Sequence, residues 1–511
     1  MRKQPYPVAQ LTGGLDVSVD GVFLVDKNSP YLRNVRFDKG LIRKGLGWVQ
    51  FGTGLPLDGT PMLIDTFPTA DGTIHQLMVT TKWVYKYNES SNDYTKKNPT
   101  VQFTGDESNQ FSCVTTLDSA GNEIFILTNG KDKIQKWDGS AGNFADLAGW
   151  STGPVLARRL VIFKSRLLAG FTVEGGTICT RRVRWSVAGN PEDITGTGSG
   201  FVDLAETSDW VVALVPLKNK LFIFKERSIW ELPYKGGADV FGGPILKIDG
   251  VGTYSNLSIV SLGDELIFYG TDNIYLFDGE NLDSIGKNIY PLVYETEKRL
   301  VNVGKADRVP SVYIEELKSY QLCFPTGESE IPSLLAEYSF DYQSWTLRDK
   351  QITAFGYYTV SGQPRWVDMT GTWEAQTGIW MQKKLPSGAP TTLIGTPDGY
   401  IYEDDRITKS TDYMVFQTKD WVFQHAQRVI EFRVQARGGP FNCYYSLDQG
   451  LTWSGAKTFS FRSDWAEYVW FLNLTCQSIR MKIESSAEDL DIKWVEPWYI
   501  PRVRSKGIVT N

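Results

Sequence analysis

A recurring hairpin pattern constrains the fold of this chain more than any other feature of its sequence. Each copy has an apolar strand, a polar turn and a second strand that ends near an aromatic residue, often followed by Asp and Gly. Four copies are clear: EIFILTNGKDKIQKWDG (123–139), NKLFIFKERSIWELP (219–233), DELIFYGTDNIYLFDG (264–279) and TTLIGTPDGYIYEDD (391–405). Strand-only repeats of roughly 40–50 residues are typical of β-propellers. One blade cannot bury both of its faces alone, so neighbouring blades must stack around an axis.

The spacing of the second-strand aromatic residues predicts how the repeat is organised. Trp137, Trp185, Trp230 and Phe277 are separated by 48, 45 and 47 residues. About seven candidate blades are centred near residues 80, 130, 170, 222, 270, 325 and 395. We therefore expect an all-β fold with a propeller of about six to eight blades over residues 56–408. A Gly- and Pro-rich insertion at Met381–Pro390 predicts a loop in the last blade.

The segments on either side of the repeat have different patterns. Residues 1–55 show little periodicity and predict an extended N-terminal arm, which either lies as a strap across other elements or is a mobile tail. Residues 409–500 alternate apolar and polar side chains over at least six short segments and predict an antiparallel β-sandwich. Residues 501–511 are expected to form a C-terminal tail.

Composition narrows the possible functions and locations. The formal net charge of −6 argues against a protein that holds nucleic acid through phosphate contacts, which require a clustered basic surface. The five cysteines are scattered without a CxxC pair, which indicates reduced thiols in a protein assembled in cytoplasm. The N-terminus lacks the apolar run of a signal peptide, and no stretch approaches 18 apolar residues, so no membrane span is expected.

Few residues could carry out catalysis. His75 and His425 are the only histidines, so a histidine-based triad, a His-rich zinc site or an HExxH helix is not expected, and both are interpreted as ordinary packed or surface residues. The carboxylates within Glu403–Asp405 and Asp278–Asp283 could form a glycosidase pair or a calcium site, but turn residues that bind their own backbone explain them better. We therefore expect no enzyme activity, no metal and no cofactor.

Arg158, Arg159, Arg181, Arg182 and Arg184 form the densest basic region of the sequence. If they lie on strands, Arg182 and Arg184 share one face. One interpretation is a solvated face that pairs with acidic side chains. The other is a basic interface patch, in a lumen or between subunits, that contacts DNA or a neighbouring chain.

One short motif, SxDxGxTW, is locally specific. It comprises Ser446, Asp448, Gly450, Thr452 and Trp453. In a hairpin turn the aspartate can accept backbone N–H groups and the glycine can adopt a positive φ. The motif is similar to the Asp-box of sialidases and other propeller proteins, where it stabilises a turn. A single copy outside the propeller does not indicate an enzyme.

Longer segments resemble structural proteins of bacteriophage virions. In the arm these are GGLDVS (Gly13–Ser18) and YLRNVRFDKGLIRKGLGWVQFG (Tyr31–Gly52). The central segments Asp209–Gly237 and Asp249–Gly279 are similar to blades of phage tail propellers. Together, over roughly residues 10–290, they resemble the tail nozzle, or packaged-DNA stabilisation protein, of short-tailed phages.

This resemblance implies a virion protein that is assembled in the host cytoplasm. Its subunits would form a homo-oligomeric ring, six-fold in the family, below the portal and the head–tail adaptor. The ring would retain and conduct the genome without sequence-specific binding, and its outside would dock tail fibres or spikes. An acidic chain suits a conduit, because a strongly basic bore would bind DNA phosphates and slow ejection.

Two other functions remain open at this stage. A sialidase-like or lectin-like propeller would fit the Asp-box motif and the 17 tryptophans. An intracellular scaffold propeller would fit the repeat, although it would leave the arm and the sandwich unexplained.

Overall fold

Seven antiparallel sheets of four strands each are arranged around a common axis, so the chain contains a seven-bladed propeller within an all-β fold. The fold class predicted from the hairpin repeat is confirmed. The computed structural model describes residues 2–6, 10–52, 54–99, 101–151, 155–237, 239–359 and 390–501, except the side chains of 405–408. The predicted loop at Met381–Pro390 and the predicted tail at 501–511 lie outside the described residues, apart from Pro390 and Pro501.

The first seven strands are short and precede the first complete blade. They are β1 (Gln4–Pro5), β2 (Gly14–Leu15), β3 (Asn28–Ser29), β4 (Leu32–Arg33), β5 (Val35–Asp38), β6 (Leu41–Lys44) and β7 (Leu46–Gln50).

The first six blades are each built from four strands consecutive in sequence. Blade 1 comprises β8 (Pro61–Pro68), β9 (Ile74–Thr80), β10 (Val84–Asn88) and β11 (Asp93–Lys97). Blade 2 comprises β12 (Ser112–Leu117), β13 (Glu123–Thr128), β14 (Gln135–Trp137) and β15 (Ala145–Asp146). Blade 3 comprises β16 (Val155–Phe163), β17 (Arg166–Glu174), β18 (Thr177–Trp185) and β19 (Gly200–Asp203). Blade 4 comprises β20 (Val211–Leu217), β21 (Lys220–Lys225), β22 (Ser228–Leu232) and β23 (Ile245–Asp249). Blade 5 comprises β24 (Val260–Ser261), β25 (Leu266–Tyr269), β26 (Ile274–Phe277) and β27 (Leu282–Ser284). Blade 6 comprises β28 (Ser311–Ile314), β29 (Ser319–Pro325), β30 (Pro332–Ser339) and β31 (Ser344–Asp349).

Helical turns occur only between strands in the described part of the chain. They are α1 (Ala148–Ser151), α2 (Tyr290–Val293) and the 3-10 turns Asn256–Ser258, Lys287–Ile289, Val303–Arg308 and Glu315–Leu317. No helix in the described ranges is long and apolar enough to cross a membrane.

The repeated aromatic residues occupy equivalent places in the propeller. Trp137, Trp185, Trp230 and Phe277 all lie in the third strands of blades 2 to 5, and all four are buried. Side chains that alternate along a strand point to opposite faces of its sheet. Each aromatic ring therefore contributes to one of the cores between neighbouring blades, which is why the spacing of these residues reveals the repeat.

The two faces of a blade contribute to two different cores, one shared with each neighbouring blade. In blade 1, Leu77 packs in a core shared with Phe125 of blade 2. Met78, the next residue along the same strand, packs in a core shared with the last blade. At that junction a Cβ on Gly356 would lie 2.4 Å from the carbonyl oxygen of Ile64, so the approach of the two blades requires glycine.

Blade 7 is completed by a strand from the start of the chain. It consists of β32 (Ala354–Tyr358), β33 (Thr391–Gly395), β34 (Ile401–Lys409) and β7, with Trp48 opposite Asp404. The sequence assigned β7 to an arm outside the propeller, whereas the structure places it as the outer strand of the last blade. The difference arises because its partner strand lies more than 350 residues away in sequence.

The C-terminal segment forms a second, ten-stranded sheet with strands from the arm. Its own strands are β35 (Met414–Gln417), β36 (Trp421–Gly438), β37 (Phe441–Ser446), β38 (Lys457–Phe459), β39 (Arg462–Ser485) and β40 (Leu490–Ile500). The arm adds β1 and β6 next to β40, β5 next to β6, and β4 next to β35. The first part of β39 pairs with β36 and its last part pairs with β35 and β37, and both parts share one core.

Candidate functional site

The five arginines of the basic region do not form one patch. Arg182 donates to Asp203, at 2.7 and 2.8 Å, and to Glu174, at 3.0 Å. Arg184 donates to the same Glu174 carboxylate, at 2.7 and 2.9 Å. The ring of Phe201 lies under both guanidinium groups, 3.8 and 5.1 Å away. This geometry corresponds to the first interpretation of these two residues, a face that pairs with acidic side chains.

Arg158 and Arg159 lie elsewhere, on β16 at the propeller axis. They line a cavity of about 270 Å³ that we call the axial cavity. Five blades or the segments leading into them contribute its walls, which are Ser108, Gln110, Asn129, Arg158, Arg159, Trp210, Val211, Val212, Glu226, Tyr254, Val303, Gly304, Ala306 and Asp307. The structure therefore separates the predicted basic residues into an acid-paired group on β18 and an axial group on β16.

Polar side chains connect the blades around the axis at this cavity. Arg159 donates Nε to the carbonyl oxygen of Val212 at 2.6 Å and Nη1 to that of Gln110 at 3.4 Å, and so joins blade 3 to the blades on either side. Arg308, in the segment before blade 6, donates Nη2 to Ser108 Oγ at 3.2 Å, in the segment before blade 2. These contacts fill part of the axial passage at this end of the propeller.

Burial shifts the titration of the charged groups around the axial cavity. It lowers the pKa of Arg159, with a further lowering from the neighbouring charge of Arg158. It raises the pKa of Asp307 and that of Glu226. Because a guanidinium group stays protonated in proteins, the cavity presents positive groups on blade 3 and carboxyl groups on its other walls.

The SxDxGxTW motif forms a tight turn between β37 and β38. Asp448 accepts from the backbone N–H of Thr452 at 2.9 Å, and its other oxygen accepts from the hydroxyl of the same residue at 2.5 Å. Ser446 Oγ accepts from the N–H of Gly450 at 2.8 Å. The two bonds from Thr452, together with one from the Ser446 hydroxyl, lower the pKa of Asp448 to about 2. Trp453 is half-buried beside Lys482. All of these contacts stabilise the turn, and none holds a group poised for proton transfer.

The carboxylates and histidines considered for catalysis are dispersed. Asp278 accepts from two backbone N–H groups of its own turn, at 2.7 and 2.8 Å. Glu403–Asp405 lie inside strand β34, so the interpretation of these three as turn residues is wrong. His75 is buried beside the ring of Trp137, and His425 is exposed on β36. Within the described ranges, no three His, Cys, Asp or Glu side chains form a group that could hold a metal ion.

The first part of β39 leaves a long strand edge open. Between Arg462 and Cys476 this strand pairs with β36 on one side, and no other strand of the described chain pairs with it there. Trp465 and Phe471 on this part are 38 % and 76 % exposed. Phe461 immediately before it is also exposed. The sequence did not reveal this edge, because an alternating strand looks the same whether its edge is paired or open.

Comparison with known proteins finds solved structures of low identity only. No family model and no curated protein matches the chain. One similar solved structure is BBS1N in complex with ARL6DN, at 9% identity and a TM-score of 0.37, covering 71% of this chain and 98% of that one. Another is the extracellular domain of a proposed hybrid two-component system from B. thetaiotaomicron, at 12% identity and a TM-score of 0.32. That match covers 64% of this chain, which spans 53% of the other.

Proposed function

We propose that this chain is a structural subunit of a short-tailed phage tail, where it forms a homo-oligomeric ring of the nozzle type. The observation that carries the proposal is the open edge of β39 with its exposed aromatic side chains. The resemblance of the arm and of the central blades to phage tail proteins supports the same assignment. In this role the ring lies below the portal and adaptor, and fibres or spikes dock on its outside.

The open edge is suited to pairing between subunits. Proteins usually protect long strand edges with charged residues, proline, bulges or covering loops. The start of this edge carries the charged residues Arg462, Asp464 and Glu467, but the stretch from 468 to 476 has no charged residue. Trp465 and Phe471 on this edge are residue types enriched in the buried centres of interfaces. An added strand from a neighbouring subunit would satisfy the free backbone groups and bury these rings. Head-to-tail contacts of this kind close into a ring when the rotation between subunits allows it.

The genome would pass through the lumen of the ring and not along the axis of each propeller. Arg308 reaches across the axial passage of the propeller to Ser108, and Arg159 lines the passage through its bonds to the neighbouring blades. A subunit with a net charge of −6 has no overall attraction for DNA phosphates, which suits a lumen that must let the genome pass.

Light scattering and negative-stain microscopy of the purified chain, alone and with a portal and adaptor, test this proposal. We expect rings for the unchanged chain and monomers for Phe471→Asp, because the charge would be placed at the centre of the interface. Ile178→Asp is the matched control, since Ile178 is an exposed apolar residue of blade 3. Monomers of the unchanged chain under all of these conditions would refute the ring, and rings of Phe471→Asp would refute the role of the β39 edge.

A lectin-like function is the second candidate, favoured by a groove of about 650 Å³ between blades 1 and 2. Asp71, Asp118 and Asp138 line it together with His75, which is buried and whose Nδ1 has no hydrogen-bond partner in the described part of the chain. Carboxylates, amides and imidazoles are groups that can bind sugar hydroxyls. A glycan array would show binding that is lost in Asp118→Ala if this function holds, and no binding if the groove is only a surface depression.

A further inference from the structure

The axial cavity is lined by four charged side chains that make no ion pair with any residue of the described ranges. Arg158 and Arg159 lie on one wall, Glu226 follows β21, and Asp307 precedes blade 6. In the part of the chain described, no nitrogen of either arginine lies within 4.0 Å of a carboxylate oxygen. Arg159, Glu226 and Asp307 are partly buried, whereas Arg158 is exposed. Even partial withdrawal of a charge from water is costly unless the charge is paired. The cavity thus holds opposite charges on different walls with open space between them.

Hydrogen-bonding capacity in the cavity is also left unused. Arg158 has no hydrogen-bond acceptor among the described residues, and its guanidinium group lies 4.2 Å from the centre of the Phe171 ring. Gln110 is 5 % exposed, yet its Oε1 has no donor in the described ranges. Donors therefore remain available on blade 3, and acceptors remain available on the other walls.

The residue beneath Arg158 is held in a strained conformation. Phe171 has a φ of 52° and lies where the pairing of β17 with β18 shifts register, between Gly170 and Thr172. A bulky side chain in the left-handed region is a genuine outlier, and such strain and such bulges are common next to binding sites. The bulge places the Phe171 ring against Arg158 and 6.4 Å from the ring of Trp210. It thus supports Arg158 at the cavity wall.

We infer that the axial cavity binds a small dipolar ion, with its carboxylate on Arg158 and Arg159 and its ammonium group on Asp307 and Glu226. A simple anion would meet the carboxyl groups, and a simple cation would meet the guanidinium groups, so either would leave one wall unmatched. The cavity of about 270 Å³ is slightly smaller than the range of roughly 300–1,000 Å³ typical of drug-sized ligands. These features fit the class of free α-amino acids, with Trp210 and Tyr254 beside the carbon skeleton. The site concerns the single propeller and does not depend on ring formation.

Binding is tested on the full chain with three sets of probes. The common α-amino acids are screened in pools by ligand-observed NMR, and the strongest is titrated by calorimetry. Acetate and methylammonium carry only one of the two charges and are titrated in parallel. We expect at least one amino acid to bind ten or more times more tightly than either single-charge probe. No binding by any probe, or acetate binding as tightly as the best amino acid, would overturn the inference.

Two variants test the opposite walls separately. Arg158→Gln and Asp307→Asn should each weaken amino acid binding tenfold or more, and Asp307→Asn should not weaken acetate binding. Arg428→Gln, an exposed change on β36, is the matched control and should bind as the unchanged chain does. Circular dichroism and thermal unfolding verify that each variant is folded. Retained amino acid affinity in a folded Arg158→Gln or Asp307→Asn protein would place the ligand elsewhere and refute the assignment.

Discussion

Trp230→Ala should remove a large share of the stability of the propeller. The Trp230 side chain is 1 % exposed and packs in the core between blades 3 and 4. Its indole N–H donates to Ser228 Oγ at 2.9 Å, and that hydroxyl donates in turn to Asp209 at 2.9 Å. Truncation of a buried tryptophan to alanine costs about 3–5 kcal/mol of unfolding free energy, because apolar contacts are lost and a cavity remains. Equilibrium unfolding in urea, followed by circular dichroism, measures the change.

The matched control is Trp210→Ala, since Trp210 is 46 % exposed at the mouth of the axial cavity. It should cost no more than about 0.5–1 kcal/mol, as expected for a partly exposed site. Trp230→Phe, which keeps most of the ring volume, should fall between the two alanine variants. A loss below about 1 kcal/mol in Trp230→Ala would contradict the claim that contacts between blades hold the propeller together.

Three further predictions concern other parts of the chain. Deletion of residues 1–30 keeps β7 and should leave the propeller closed. Deletion of residues 1–52 removes β7 and should make blade 7 sensitive to limited proteolysis. Equal resistance of the two deleted proteins to the protease would contradict closure of the propeller by β7. Asp209 beside buried Lys225 has a pKa of about 2 against its ordinary 3.8, because hydrogen bonds outweigh the effect of burial. The stabilisation is therefore present above pH 3.8 and lost as pH falls toward 2, and thermal unfolding of Asp209→Asn should lack this part of the pH dependence. Asp448→Ala should raise hydrogen exchange at the N–H of Thr452 without unfolding the sheet, and unchanged exchange would contradict its role in the turn.

The blades could be predicted because their signal is local. A hairpin and its buried third-strand aromatic residue lie within one short stretch of sequence, as at Trp137 and Trp230. Each junction between blades requires a buried apolar residue at the equivalent position, so the pattern recurs along the chain. The outer strand of blade 7 could not be placed in this way. Leu46–Gln50 reads as one more short alternating segment, and its partner β34 is fixed only by the closed geometry of the propeller.

The axial cavity shows a second limit of sequence reasoning. Arg158 and Arg159 stood out as a charged pair, but adjacency in sequence grouped them with Arg182 and Arg184, which belong to another face. The carboxyl group of Asp307 reaches the cavity from a segment nearly half a propeller away. No local pattern connects such residues, because a propeller brings together at its axis positions that are dozens of residues apart.

The arm joins the two parts of the molecule and so makes their stabilities interdependent. Strands β5 and β6 extend the C-terminal sheet, and β7 follows at once as the last strand of the propeller. Closing the propeller therefore fixes the position of β6, and forming the C-terminal sheet fixes the start of β7. Each of these two steps therefore lowers the conformational entropy cost of the other, because part of the arm is already ordered. The β39 edge exists only when the C-terminal sheet is folded, and that sheet is coupled to closure of the propeller. Assembly of subunits through this edge would therefore select subunits with a closed propeller over partly folded ones.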